Sequence, residues 1–213
     1  MKKVAILLIY LILSNVSFSQ NREFKPLNAE FAKEFVRLID SARTSIYSVR
    51  SEDAFIIESR SWVKIKTPFA NTIDSLASLA CFHNNRYFYS LVANQPLTPI
   101  IIGHENKSEL YDILYSGSDT LLNSFVDRCN YYTDSLFTPY GECVWAGYTT
   151  SPKYKNLSSC ELAREAFNIF MKSKEGHREI LLYPLHTDIG INLMIDSEQK
   201  RFYITVVTGK KKA

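Results

Sequence analysis

Two histidines and a glutamate each directly follow a glycine, and together they have the chemistry of a binding or catalytic site. They are His104, Glu142 and His177, and the glycines before them are three of only seven in 213 residues. Glycine permits tight turns and close backbone approach, so a side chain presented after one is well placed to point into a cleft. Two imidazoles and a carboxylate suit a divalent cation such as zinc, with one position left for water.

The same three residues also fit other chemistry. A zinc-bound water becomes hydroxide near neutral pH and can hydrolyse an ester or an amide. Without a metal, the imidazoles and the carboxylate can serve as general base and acid. In a purely structural cluster, the three would hold loops against the core through hydrogen bonds. We favour a cleft of unknown use over a structural cluster, and a structural cluster over a catalytic metal site.

Other residues near these positions are weaker candidates. Arg178 can tie its loop to a carboxylate or to backbone carbonyls, and Tyr148 can stack on a ligand, so both are candidates for ligand contact. His83 is expected to pack within a helix, and His186 lies in a loop before a strand. Cys143, beside the candidate carboxylate, would be a nucleophile if an imidazole activated its thiolate.

The first 19 residues have the composition of a secretory signal peptide. Two lysines follow the initial methionine, an apolar run covers 4–13, and small residues precede Gln20, where cleavage is expected. The apolar run is too short to span a bilayer, which takes about 20 residues, and no later stretch approaches that length. The sequence therefore predicts an exported protein with a single mature domain over residues 20–213.

The net charge of the mature chain bears on the class of partner. Cleavage before Gln20 removes two of the 25 basic residues and no acidic residue. The mature chain then has 23 basic and 22 acidic residues, and this net charge of +1 gives no reason to expect nucleic acid as a partner.

Four cysteines in an exported chain predict two disulfides, with three possible pairings. Cys129 with Cys143 is favoured, because this pair would close a short loop beside the candidate site. The other pairings, which join these two to Cys81 and Cys160, stay open.

Apolar periodicity predicts three long helices. Asn28 can cap the first, and the second is expected to begin after Pro68, near Thr72. Ser158 and Glu161 form a capping box for the third. The predicted buried face of the second helix comprises Ile73, Leu76, Ala77, Ala80, Tyr87 and Leu91.

Alternating patterns predict the strands. A weak alternation over 54–66 is typical of a strand or hairpin between the first two helices. Two runs rich in β-branched residues, Ile191 to Ile195 and Phe202 to Val207, are joined by a polar turn and predict a closing hairpin. The residues alone therefore predict a mixed α and β domain.

Three segments, GECVWAGY, FMKSKEGHREILL and TDIGINL, resemble the back half of a CAP domain. This is the fold of cysteine-rich secretory proteins, antigen 5 and pathogenesis-related 1 proteins, and the chain is similar to its bacterial members over roughly residues 28–209. The resemblance implies an α+β fold, a three-layer α-β-α sandwich with a small antiparallel sheet. It also implies that His104, Glu142 and His177 correspond to residues of the family's cleft.

The chain departs from the family pattern within that cleft. Cys143 replaces the motif asparagine, Ser173 stands nearest to the place of a second glutamate, and Arg201 to Tyr203 occupy the place of a late-strand histidine. The full set of two histidines and two glutamates is therefore absent from the pattern.

The resemblance implies three possible functions. Family members have been linked to sterols and other lipids, glycans and partner proteins, so the first expectation is an exported binding module for a lipid, glycan or protein ligand. The second is an exported hydrolase that uses His104, Glu142 and His177, with or without zinc. The third is a structural or interaction domain with a vestigial cleft. The missing glutamate and histidine weigh against the enzyme, and the retained Gly-Glu and Gly-His-Arg weigh against a vestigial cleft.

Overall fold

The computed structural model describes residues 29–47, 55–58, 61–64, 71–92, 100, 102–106, 122–196 and 200–212. The predicted signal peptide and Asn28 lie outside the described residues. The helices are α1 (Ala29–Tyr47), α2 (Ser75–Val92), α3 (Phe125–Thr133), α4 (Ser159–Lys172) and α5 (His177–Leu182). The strands are β1 (Phe55–Glu58), β2 (Ser61–Lys64), β3 (Thr72–Ile73), β4 (Phe137–Tyr148), β5 (Asp188–Asp196) and β6 (Arg201–Lys211). None of the described helices has both the length and the apolar character needed to cross a bilayer.

Four strands form the central sheet in the order β3-β5-β6-β4. The pairs β4–β6 and β5–β6 are antiparallel, which confirms the predicted closing hairpin and extends both of its strands. The two-residue β3 pairs parallel with β5, a departure from the expected antiparallel pairing. A separate antiparallel hairpin of β1 and β2 confirms the prediction for 54–66.

Helices cover both faces of this sheet. On one face, side chains such as Ile191 and Val206 pack against the buried stripes of α1 and α4, which include Phe35 and Phe170. On the other face, α2 and α3 pack against side chains such as Val207. Successive residues of a strand point to opposite faces, so each strand contributes to both cores. The result is the three-layer α-β-α sandwich that was expected.

Helix α4 follows its sequence pattern closely. The Glu161 N–H donates to Ser158 Oγ at 3.3 Å, and the Ser158 N–H donates to Glu161 Oε2 at 2.8 Å, which is the predicted capping box. In α1, Phe31, Phe35 and Ile39 are buried, as helical spacing predicts. Burial of these stripes against the sheet stabilises both helices.

Helix α2 begins later than the sequence pattern predicts. Thr72 lies in β3, and the Asp74 side chain accepts a hydrogen bond from the Ala77 N–H at 2.8 Å, which caps a helix that starts at Ser75. Leu76, predicted to be buried, is 42% exposed, because the face of α2 that meets the sheet starts one position later, at Ala77.

All four cysteines are free thiols in the structure. The predicted pairing of Cys129 with Cys143 is wrong, because the sheet lies between them. Cys129 packs with Cys81 beneath α2, whereas Cys143 packs in the layer of α1 and α4. Burial raises the pKa of the Cys129 thiol to about 12 and also raises the pKa of Cys143. A buried neutral thiol is a poor nucleophile, so the structure contradicts the nucleophile hypothesis for Cys143.

Candidate functional site

Strand β4 carries the candidate carboxylate at the edge of the sheet. A bulge between Pro139 and Gly141 interrupts its pairing with β6. Beyond the bulge, Glu142 lies opposite Val207, on the face that α2 and α3 cover. A Cβ at Gly141 would come within 2.8 Å of the Ile180 side chain, so the glycine permits α5 to pack closely on β4. This packing brings the start of α5 next to the carboxylate.

A buried ion pair fixes the Glu142 carboxylate. Arg128 of α3 donates from Nη2 to Glu142 Oε1 at 2.7 Å, and the two side chains are 0% and 1% exposed. The other carboxylate oxygen, Oε2, is 3.0 Å from His104 Nδ1. The Arg128 guanidinium also donates to the His104 carbonyl oxygen, at 3.3 and 3.4 Å. One arginine therefore holds both the backbone of His104 and the carboxylate that orients its ring.

His104 is oriented by this carboxylate and faces solvent. A carboxylate only accepts hydrogen bonds, so Nδ1 of His104 donates, and Nε2 of the neutral ring is left as an acceptor. The His104 side chain is 46% exposed, against 1% for that of Glu142. An imidazole held in this way can bind a ligand donor or act as a general base.

His177 opens α5 and lies beside His104. The preceding Gly176 has a φ of 83°, a left-handed conformation that glycine adopts without steric cost. The centroid of the His177 ring is 6.2 Å from that of His104 and 5.3 Å from that of Phe170. His177 is only 7% exposed, yet no described group hydrogen-bonds its ring. Burial, followed by the charge of His104, lowers the pKa of His177, so its ring is neutral near pH 7.

The structure brings His104, Glu142 and His177 together, as the resemblance to the CAP cleft implies. No three His, Cys, Asp or Glu side chains within the described ranges are arranged to hold a metal ion. Both oxygens of Glu142 are already engaged, by Arg128 and by His104. This geometry gives no support to a zinc site at the three residues, and zinc binding stays a prediction.

Tyr148 and Arg178, the two candidate ligand contacts, do not join this cluster. Tyr148 ends β4 and lies about 20 Å along the strand from Glu142 at 3.3 Å per residue. Its hydroxyl accepts a hydrogen bond from the Ile100 N–H at 3.1 Å. Arg178 is exposed and lines a separate cavity together with Ile46 of α1.

The other two histidines each form a hydrogen bond inside the protein through Nδ1. Nδ1 of His83 is 2.9 Å from the Tyr132 hydroxyl, as expected of a packed helix residue. Nδ1 of His186 is 2.9 Å from the Thr208 hydroxyl, and its ring stacks on Tyr140 with centroids 4.7 Å apart. Burial lowers the pKa of His83 to about 3 and that of His186 to about 4. Neither residue belongs to the site.

Arg128 is the site residue that the sequence pattern does not single out. It lies on α3, whose start is marked by a capping box in which the Asp127 N–H donates to Ser124 Oγ at 3.2 Å. This Ser-x-x-Asp spacing is visible in the sequence and could have located the helix. No sequence signal pairs Arg128 with Glu142, because that contact depends on how α3 docks on β4.

The chain matches no protein-family model and no curated protein. Among solved structures, it is similar to an outer surface protein from Borrelia burgdorferi, at 14% identity and a TM-score of 0.46, over 87% of this chain and 96% of that chain. It is also similar to the crystal structure of NaASP2 with Zn²⁺, at 11% identity and a TM-score of 0.44, over 88% of this chain and 86% of that chain. Both TM-scores lie below 0.5, so these likenesses assign the chain neither a family nor a function.

Proposed function

We propose that the chain is an exported binding protein of the CAP type, whose cleft around His104, Glu142 and His177 takes a small ligand. The observation that carries this proposal is the state of His177. Its ring is buried, neutral and free of hydrogen bonds to the described residues, and it lies beside an exposed imidazole of fixed orientation. The ring can therefore hydrogen-bond a ligand without breaking a hydrogen bond to any described residue.

The ion pair behind His104 supports a binding role. Desolvating two charges often costs more than their attraction returns, and an apolar pair would pack at least as well at this position. Arg128 and Glu142 are thus poorly explained by stability alone, whereas orienting His104 explains both. In a purely structural cluster each imidazole would be hydrogen-bonded within the protein, as Nδ1 of His83 and Nδ1 of His186 are. His177 does not fit that alternative.

Histidine signals provide the test of ligand binding. The chain has four histidines, so their imidazole signals can be followed one by one in ¹H–¹³C spectra of the whole mature protein. A panel of small carboxylates, amides and sugars should contain a compound that shifts His177 and His104 saturably. The buried His83 and His186 serve as internal controls and should not move. If no compound shifts His177 at about 10 mM, the proposed binding site is refuted.

A metal-independent hydrolase is the second candidate, and the 3.0 Å contact between His104 Nδ1 and Glu142 favours it. In that case His104 Nε2 would take a proton from a water that attacks an ester carbonyl. Hydrolysis of p-nitrophenyl acetate should then fall about 100-fold or more in His104→Gln, with a similar loss in Glu142→Gln. In an enzyme the Arg178→Gln control keeps its activity, whereas a binding protein shows no turnover above buffer and still binds its ligand in at least one of these variants.

Export is proposed from the leader-like composition of residues 1–19. Expression of the full chain in a bacterium should yield a processed form outside the cytoplasm whose first residue is Gln20. Mass spectrometry of that form is the measurement. An unprocessed chain retained in the cytoplasm would contradict the proposal.

A further inference from the structure

A cavity of about 400 Å³ opens beside His177, between β4 and the end of α4. We call it the His177 pocket. Its apolar wall includes Trp145, Ile169 and Phe170, and Lys172 and Lys174 stand at its rim. The pocket therefore joins an apolar surface, an imidazole that no described residue hydrogen-bonds and a charged rim, a combination suited to a small amphipathic ligand.

The apolar wall is held rigidly. The Trp145 ring packs edge-on against Tyr154 and Phe202, with centroids 5.4 and 4.7 Å away. Phe170 is 1% exposed and is fixed in the core of the α1–α4 layer. Phe170 supports the wall from within the core, and the partly exposed Trp145 ring is a preformed aromatic surface on which a flat ring can stack without first ordering the protein.

The rim favours an anion. Lys172 and Lys174 are exposed, and neither forms an ion pair with a described residue. Glu175 is the acid of the same lining, so the rim carries a net charge of +1. The C-terminal end of the α4 dipole opposes an anion with about half a charge, which is less than the net charge of +1 that the rim supplies. The floor adds the neutral ring of His177, which can donate one hydrogen bond.

We infer that the His177 pocket binds small arylalkyl carboxylates, with the aromatic ring against Trp145 and Ile169 and the carboxylate between Lys172, Lys174 and the His177 N–H. This inference rests on the proposed binding function and names the class of its ligand. The lysines act at the rim as mobile cations, and His177 supplies the fixed hydrogen bond that distinguishes this pocket from a general basic surface.

A matched pair of probes tests the inference, namely 3-phenylpropionate and its neutral isostere 3-phenylpropionamide. Both are titrated into the whole mature protein while the Trp145 indole N–H and the His177 imidazole signals are followed by NMR. The carboxylate should shift both signals and bind at least about tenfold more tightly than the amide, as expected for charge-assisted contacts. The double substitution Lys172→Met and Lys174→Met should weaken the carboxylate about tenfold and leave the amide unchanged.

One control variant and two contrary outcomes distinguish a failure of this inference from a failure of the proposed binding function. The double substitution Lys210→Met and Lys212→Met makes the same charge change at the far end of β6 and should leave both affinities unchanged. Equal affinity for the two probes, with both signals shifted, would overturn the preference for an anion while binding in the cleft stands. If neither probe shifts Trp145 or His177 at about 10 mM, the ligand class is wrong, and the panel experiment decides whether the cleft binds anything.

Discussion

Replacing Arg128 by methionine should destabilise the protein strongly. The guanidinium is 0% exposed and bonds a carboxylate that is 1% exposed, so the variant leaves Glu142 buried without its countercharge. Breaking such a pair typically costs about 3–5 kcal/mol, a large part of the roughly 5–15 kcal/mol by which domains are stable. Urea unfolding at pH 7, followed by circular dichroism, measures the loss as a lower midpoint at an unchanged slope.

Replacing both partners separates the cost of the orphaned charge from the value of the pair. Arg128→Met combined with Glu142→Leu should recover at least half of the loss, because two apolar side chains need no countercharge. The matched control is Arg164→Met, which breaks a 2.9 Å ion pair with Glu34 in which the arginine is 56% exposed. That control should cost less than about 1 kcal/mol. If Arg128→Met costs no more than the control, burial does not govern this pair and the reasoning is refuted.

Other perturbations test the rest of the structure. Burial lowers the pKa of His186 from 6.5 to about 4 and that of His83 to about 3. The unfolded chain therefore binds more protons below pH 6.5, and stability that is complete above this pH is lost as the pH falls towards 4. His186 accounts for about 3 kcal/mol of that loss, so urea midpoints of His186→Gln should fall less steeply than those of wild type. Gly141→Ala should cost about 1–3 kcal/mol because its Cβ meets Ile180 at 2.8 Å, and Ile180→Val should return part of it unless the strand shifts freely. A thiol assay in denaturant without reductant should find four free thiols, and a disulfide between Cys129 and Cys143, identified by peptide mapping, would contradict the placement of these two cysteines on opposite sides of the sheet.

Elements with clear local signals are predictable from this sequence, and elements made by tertiary contacts are not. Helix α4 has both a capping box and an apolar stripe, and the strands β5 and β6 are rich in β-branched residues. By contrast, β3 is two residues long and exists because Thr72 and Ile73 pair with β5. No local pattern distinguishes these two residues from the first turn of the helix that follows.

The candidate site also contains residues that a local sequence signal reveals and residues that only a tertiary contact reveals. The glycine before each of His104, Glu142 and His177 is a local signal, and it locates three residues that do meet in space. Arg128 is missed because its partner lies on another element. The predicted disulfide fails for a related reason, since Cys143 and its neighbour Glu142 point to opposite layers of the sandwich.

The bulge near the start of β4 determines which layer receives the carboxylate. In a regular strand, residues an odd number of positions apart point to opposite faces, yet Phe137 and Glu142 both face α2 and α3. The extra residue, Tyr140, reverses the alternation between them. The bulge thus determines which face of the sheet each later residue of β4 points to. If β4 kept Phe137 in its core and paired without the bulge, Cys143 would face Arg128, and a carboxylate would enter the apolar layer of α1 and α4. Deleting Tyr140 would place Phe137 and Glu142 four positions apart, so a regular strand without the bulge would then keep both side chains on the α2 and α3 face.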